Sequence, residues 1–228
     1  MAINIEVYKE LMKVCTAGDI TLVAVSKNKP VNDIQDLYDI GHRDFGENYV
    51  QELIQKQLLL PQDIRWHFIG HLQRNKVKYI APFVHMIHGV ESYQLLEEID
   101  RQAAKQERNI SCLLQMHIAQ EESKFGLSYE ELQAIVADIP KLELINQIRN
   151  IKISGLMGMA SFTEDKTQIR KEFEYLKAAF DDCRANLVKS SDFNTLSMGM
   201  SADYEIAIEE GSTMIRVGSL LFGQREPL

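Results

Sequence analysis

Lys27 closes the apolar run Thr21-Leu22-Val23-Ala24-Val25-Ser26, and Asn28 and Pro30 follow it. The run is short and rich in β-branched residues, the composition of a strand buried on both faces of a parallel sheet. A lysine closing such a strand loses solvation, which favours its neutral amine, and a neutral amine attacks aldehydes. The competing reading is a lysine that snorkels from a strand end to the surface. Near the other end of the chain, Ser197, Gly199 and Ser201 precede a helix expected from Ala202-Asp203, and Gly218 and Ser219 precede a short C-terminal helix. Hydroxyls and closely approachable backbone N–H groups in that setting suit a phosphate; they suit helix caps and tight turns equally. Arg216 interrupts the apolar run Met214–Leu221 and needs a partner there, either an acidic neighbour or a ligand.

Other constellations carry less. His67 and His71 are four residues apart and His85 and His88 three apart, but neither pair sits on a clear helical pattern. No acidic residue at ligand spacing accompanies them, and zinc needs three or four convergent ligands, so metal binding is disfavoured. His67 is expected to order the interior by hydrogen bonding instead. No nucleophile elbow or cysteine–base pair is present, and no carboxylate pair stands out among 33 acidic residues. Met157, Met159, Met198 and Met200 read as packing.

The elements that must position these residues alternate. Apolar runs at 21–27, 43–46, 65–69, 85–88, 111–117, 152–159, 194–198 and 214–217 read as strands, with amphipathic stretches between them. Residues 32–40 open with an Asn32/Gln35 cap pairing and stop at Gly41; residues 128–139 open with the Ser128/Glu131 capping box and end before Pro140. The longest helix, 166–188, spaces Ile169, Phe173, Leu176, Phe180, Cys183 and Leu187 along one stripe. Eight strand–helix units predict an α/β fold, a (β/α)8 TIM-like barrel of parallel strands. An open doubly wound sheet is the fallback, but its glycine-rich dinucleotide fingerprint is missing. In a barrel, chemistry collects at the C-terminal strand ends, where Phe45-Gly46-Glu47-Asn48, Trp66–His71, Gly155–Met159, Ser197–Ser201 and Arg216–Ser219 fall.

A chain of 228 residues fits one such barrel, with no linker or compositional break, so residues 1–228 are expected to form a single domain. The net charge of −8 without a basic block argues against nucleic acid or an anionic membrane as partner. Three scattered cysteines, Cys15, Cys112 and Cys183, suit a reducing compartment, and the N-terminus has no signal-peptide pattern; a cytoplasmic location is expected. No long apolar stripe is left once the core helices are assigned, so a monomer is expected.

The segments VAVSKNKP, FGENYVQE (45–52), WHFIGHLQRNK (66–76), ESKFGL (122–127), ISGLMGM (153–159) and LSMGMSADYEIAIEEGSTMIRVGSLLFG (196–223) together resemble the pyridoxal 5′-phosphate (PLP) homeostasis protein family. The resemblance runs in order from about residue 21 to the C-terminus. It implies a single barrel similar to the N-terminal domain of alanine racemase, with PLP held as a lysine Schiff base. By resemblance, Lys27 is the Schiff-base lysine and Asn48 lies beside the cofactor. Ser197, the backbone around Met200 and Ser201, and Gly218 with Ser219 hold the phosphate, and Arg216 faces the pyridine nitrogen. Two departures are a short N-terminal segment and Ser219-Leu220-Leu221 in the last motif, where a serine hydroxyl keeps the phosphate donor.

An arginine at the pyridine nitrogen cannot give it a proton readily, so the ring is a weak electron sink and transamination or decarboxylation is not expected. The chain stops at Leu228, where the barrel should close, and the second domain of related racemases is expected to be missing. The leading expectation is therefore a PLP-binding protein that buffers the cofactor or delivers it to PLP-dependent apoenzymes. A low-activity PLP-dependent amino-acid racemase and a cofactor-free Schiff-base aldolase using Lys27 are the alternatives.

Overall fold

Apolar runs buried on both faces become the strands of a closed barrel in this computed structural model, which describes residues 3–121, 125–144, 148–186 and 192–223. The strands are β1 (Thr21–Val25), β2 (Asp44–Glu47), β3 (Arg65–Phe68), β4 (Met86–Val90), β5 (Ile110–Gln115), β6 (Ile151–Met157), β7 (Thr195–Ser197) and β8 (Met214–Val217). Each pairs in parallel with its successor, and β8 pairs with β1 from Thr21↔Met214 to Ala24↔Val217. That last ladder rules out the open doubly wound sheet. Around the barrel lie α1 (Ile5–Gly18), α2 (Val31–Asp39), α3 (Val50–Leu59), α4 (Val77–Ile80), α5 (Tyr93–Lys105), α6 (Tyr129–Leu144), α7 (Lys166–Asn186), α8 (Tyr204–Glu209) and α9 (Ser219–Phe222).

The core has two shells. Phe45, Trp66, Phe68 and Phe173 belong to the large cluster that joins helices to strands, whereas Val23, Met86, Leu113, Met157 and Met214 pack with one another in a small separate cluster. Strand side chains alternate faces, so His88 follows Met86, and Arg216 follows Met214, on the same side of their strands. The barrel interior is thus apolar in one layer and polar in the next.

The local expectations meet mixed fates. The Ser128/Glu131 box closes as expected, with Ser128 N–H donating to Glu131 Oε2 at 2.8 Å and Glu131 N–H to Ser128 Oγ at 3.2 Å. Its helix, however, continues past Pro140 to Leu144, because the strong helix formers Lys141–Leu144 outweigh one lost backbone bond. The Asn32/Gln35 pairing does not form: Pro30 is the cap residue, with no side-chain cap bond, and Gln35 Nε2 donates to Asp39 Oδ1. A proline there already presets the helical entry, so Asn32 falls inside the helix. Ile169, Phe173, Leu176, Phe180 and Cys183 of α7 are buried as one stripe. Leu187, and residues 122–124 of the ESKFGL segment, lie outside the described residues. β1 ends at Val25, so Lys27 stands in the turn beyond the strand and not in it. The described residues include no helix long and apolar enough to cross a membrane and no cluster of three or more potential metal ligands.

Candidate functional site

At the C-terminal end of the barrel lies a cavity of about 470 Å³. Its wall takes Lys27 from the turn after β1, Asn48 from the end of β2, Met200 and Ser201 from the loop after β7, and Arg216, Gly218 and Ser219 from β8 and the start of α9. Seven of the eight expected site residues therefore meet around one space. They meet because parallel strands all deliver their loops to the same rim. Register accounts for the closest approach: Val23 pairs with Arg216 and Ala24 with Val217, which sets the Lys27 turn just above Gly218.

The fit to a flat, phosphate-bearing group rests on the donors and on the space. Gly218 presses its Cα side against β1; a Cβ there would lie 3.1 Å from the Val25 carbonyl oxygen and 3.3 Å from Val25 Cβ, so any larger residue would push this wall outward by a few tenths of an ångström. Gly218 N–H donates to Ser201 Oγ at 3.3 Å, which leaves the Ser201 hydroxyl able to donate onward. Met200 N–H is committed to Asp203 Oδ1 at 2.5 Å, so it contributes the shape of the loop and not a donor. Asn48 Oδ1 is buried and has no hydrogen-bond partner among the described residues, as expected of a group waiting for a ligand donor.

Ser197 is the residue that stands elsewhere. It is fully buried behind the cavity, where its Oγ accepts a hydrogen bond from Arg216 Nη1 at 2.6 Å. Arg216 Nη2 donates to the Gly158 carbonyl at 3.0 Å. The buried guanidinium thus meets neutral oxygens. Burial pushes its pKa down to about 10, with the charge of Asp203 acting in the opposite direction, and it stays cationic at neutral pH.

From Ser197 a buried chain runs down the barrel. Ser197 Oγ is 3.4 Å from His88 Nδ1, His88 Nε2 is 2.9 Å from His67 Nδ1, and His67 Nε2 is 3.0 Å from Asp44 Oδ1. Its ends fix its direction. Arginine can only donate, and Asp44 is ionised: burial would raise its carboxyl, but hydrogen bonds from His67 and Arg65 hold it well below the usual range. With both imidazoles neutral, one assignment satisfies every link: Ser197 O–H donates to His88 Nδ1, His88 Nε2–H to His67 Nδ1, and His67 Nε2–H to Asp44. Burial pushes His88 well below its ordinary pKa, in keeping with its neutral form. In that assignment the Ser197 proton goes to His88 while its oxygen accepts from Arg216. His67 does order the interior by hydrogen bonding, and nothing in the sequence reading linked it to Arg216.

A second group forms an ion cluster that the sequence did not reveal, although Glu47 falls in the Phe45–Asn48 rim segment. Buried Glu47 and Lys56 form an ionic cluster with half-buried Glu52 beneath the Lys27 turn, with Lys56 Nζ 2.7 Å from Glu47 Oε1 and 2.6 Å from Glu52 Oε1. The i, i+4 spacing of Glu52 and Lys56 was the available signal, though solvated helix faces show the same spacing.

Comparison with known proteins points the same way. Residues 4–226 match the family model of the alanine racemase N-terminal domain. The pyridoxal phosphate homeostasis protein of Aquifex aeolicus is 36% identical over 210 residues, covering 90% of this chain and 87% of its own. The human protein of the same name is 38% identical over 215 residues, covering 90% and 76%. Among solved structures, PipY of Synechococcus elongatus PCC7942 with PLP bound superposes with a TM-score of 0.78 at 34% identity, covering 90% of this chain and 93% of that one.

Proposed function

Because this chain belongs to the pyridoxal phosphate homeostasis protein family, we propose that it binds PLP as a Schiff base on Lys27 and serves PLP homeostasis, by buffering or delivering the cofactor and without robust catalysis. The observation that carries the reading is the single cavity in which Lys27, Ser201, Gly218 and Arg216 converge. PLP brings an aldehyde that a lysine amine can capture and a ring that can draw electrons from what is attached to it. Lys27 supplies the amine. Ser201 and the closely approaching Gly218–Ser219 backbone hold the phosphate, and Asn48 borders the ring. Arg216 presents only N–H donors, so a pyridine nitrogen in contact with it remains an acceptor, which weakens the electron sink. Ser197 and Gly158 hold the guanidinium in that orientation.

Purified protein mixed with PLP should develop a visible absorbance band, and borohydride should fix the label on the peptide containing Lys27. Lys27→Ala should lose both. An unchanged spectrum in Lys27→Ala would refute the Schiff-base assignment. Racemisation of an amino acid at about 1 per second or faster would refute the non-catalytic part.

A further inference from the structure

The four-residue turn that presents Lys27 is held on both flanks by one helix. On the N-terminal flank, the Ser26 carbonyl accepts from Lys56 Nζ at 2.7 Å and from Lys29 N–H at 3.0 Å, which closes the turn. Ser26 Oγ–H donates to Glu47 Oε1 at 2.5 Å. On the C-terminal flank, Asn28 N–H donates to Glu52 Oε1 at 2.6 Å, and Asn28 sits at φ +58°, a left-handed conformation that needs support. Glu52 and Lys56 lie one turn apart on α3, which is anchored in the core through Val50 and Leu53. The Lys56 ammonium is saturated: its three protons go to the Ser26 carbonyl, Glu47 Oε1 and Glu52 Oε1.

We infer that Glu52 and Lys56 are positioning residues that fix the Lys27 turn and so aim its amine into the cavity. This rests on the reading of Lys27 as the Schiff-base lysine. The energetics favour positioning over bulk stability. Lys56 and Glu47 are 4% and 0% exposed, and a buried ionic cluster is generally no more stable than an apolar replacement of the same volume. What the cluster gives that an apolar patch cannot is directional grip on two backbone groups flanking one side chain.

The test follows the rate at which PLP is captured. Parent protein, Glu52→Ala, Glu52→Gln and Lys56→Met are mixed with PLP, quenched with borohydride at intervals, and assayed by mass spectrometry for label on Lys27. Melting of each ligand-free protein is followed by circular dichroism. Glu52→Ala should capture PLP about tenfold more slowly per folded molecule, since small misplacements of a reacting group cost one to two orders of magnitude. Glu52→Gln keeps an oxygen for Asn28 N–H and should recover most of the rate. Lys56→Met should be slower still per folded molecule. Parent-like capture in Glu52→Ala overturns the inference, as does a lower melting temperature with an unchanged rate per folded molecule. Absence of label on Lys27 in the parent overturns the Schiff-base reading and this inference with it.

Discussion

His42 shows how one buried side chain sets a pH response. Its ring stands edge-on to Tyr8 and Phe45, and Nε2 donates to the Asp44 carbonyl at 2.8 Å. Burial pushes its pKa down to about 4, against about 6.5 in an unfolded chain. Between those values the unfolded state binds a proton that the folded state refuses, so stability falls as pH falls from about 6.5 to 4. His42 alone accounts for about 3 kcal/mol of that loss, and His88 acts in the same direction. Asp44 adds a further loss at lower pH, when its depressed carboxyl is at last protonated. Urea unfolding between pH 7 and 4 should show this slope, and His42→Gln should flatten it; an equal slope in that variant would assign the loss elsewhere. The same scale explains what the sequence revealed of the site. Lys27 and Arg216 were legible because each is an ionisable residue interrupting or closing an apolar run. The burial of Ser197 was not, because which way a hydroxyl donates depends on residues over a hundred positions away, as with His88. Glu47, Glu52 and Lys56 were hidden among 33 acids and 25 Lys and Arg residues, since no spacing marks a charge as buried.

At the scale of elements, all eight strands were foreseeable, the clearest from apolar runs such as Thr21–Val25 and Ile110–Gln115, and the short β2 and β3, which carry charged residues, mainly from the strand–helix alternation. Their ends were less legible: β1 stops two residues early because the Lys27 turn is shaped by contacts from α3, and β4 runs on through Gly89 and Val90. The Ser128 cap was legible because its side chain makes the bond, whereas the Asn32 pairing was not borne out, although α2 begins only one residue earlier. Two substitutions separate the kinds of local code. Ser128→Ala removes one capping bond at an exposed helix start and should cost about 1 kcal/mol. Gly155 in β6 has φ +153°, and a Cβ there would fall 1.8 Å from the carbonyl oxygen of its register partner Thr195. Gly155→Ala must therefore break the β6–β7 ladder and should cost on the order of 4 kcal/mol or leave the protein insoluble. Denaturant midpoints of the two variants give the comparison, and a Gly155→Ala protein as stable as Ser128→Ala would contradict the strand packing described.

For the whole molecule, the decisive fact is where the barrel closes. Lys27 follows β1 and Arg216 lies in β8, so the two sides of the cavity come from opposite ends of the chain and meet through the β1–β8 ladder, with Lys29 Nζ tied to the Phe222 carbonyl at 2.7 Å. The neighbouring β7–β8 pairing has a single register pair, Ser197↔Met214, supported by loop bonds such as Arg216 N–H to the Gly199 carbonyl at 3.0 Å. PLP bound as proposed, joined to Lys27 on one side and held by Ser201 and Gly218 on the other, would span this closing seam. At a hundredfold excess over its dissociation constant, such a ligand stabilises the folded state by about 2.7 kcal/mol. That stabilisation should appear first as protection against local opening of the seam, because local opening is the cheaper route to exchange. Hydrogen exchange with saturating PLP should therefore slow amides of β1, β7 and β8 more than those of β3 to β5. In Lys27→Ala the tie to β1 is gone, and protection should shrink to the loops after β7 and β8. Equal slowing around the barrel would mean that these strands exchange only through global unfolding, and that the seam is no weaker than the rest of the sheet.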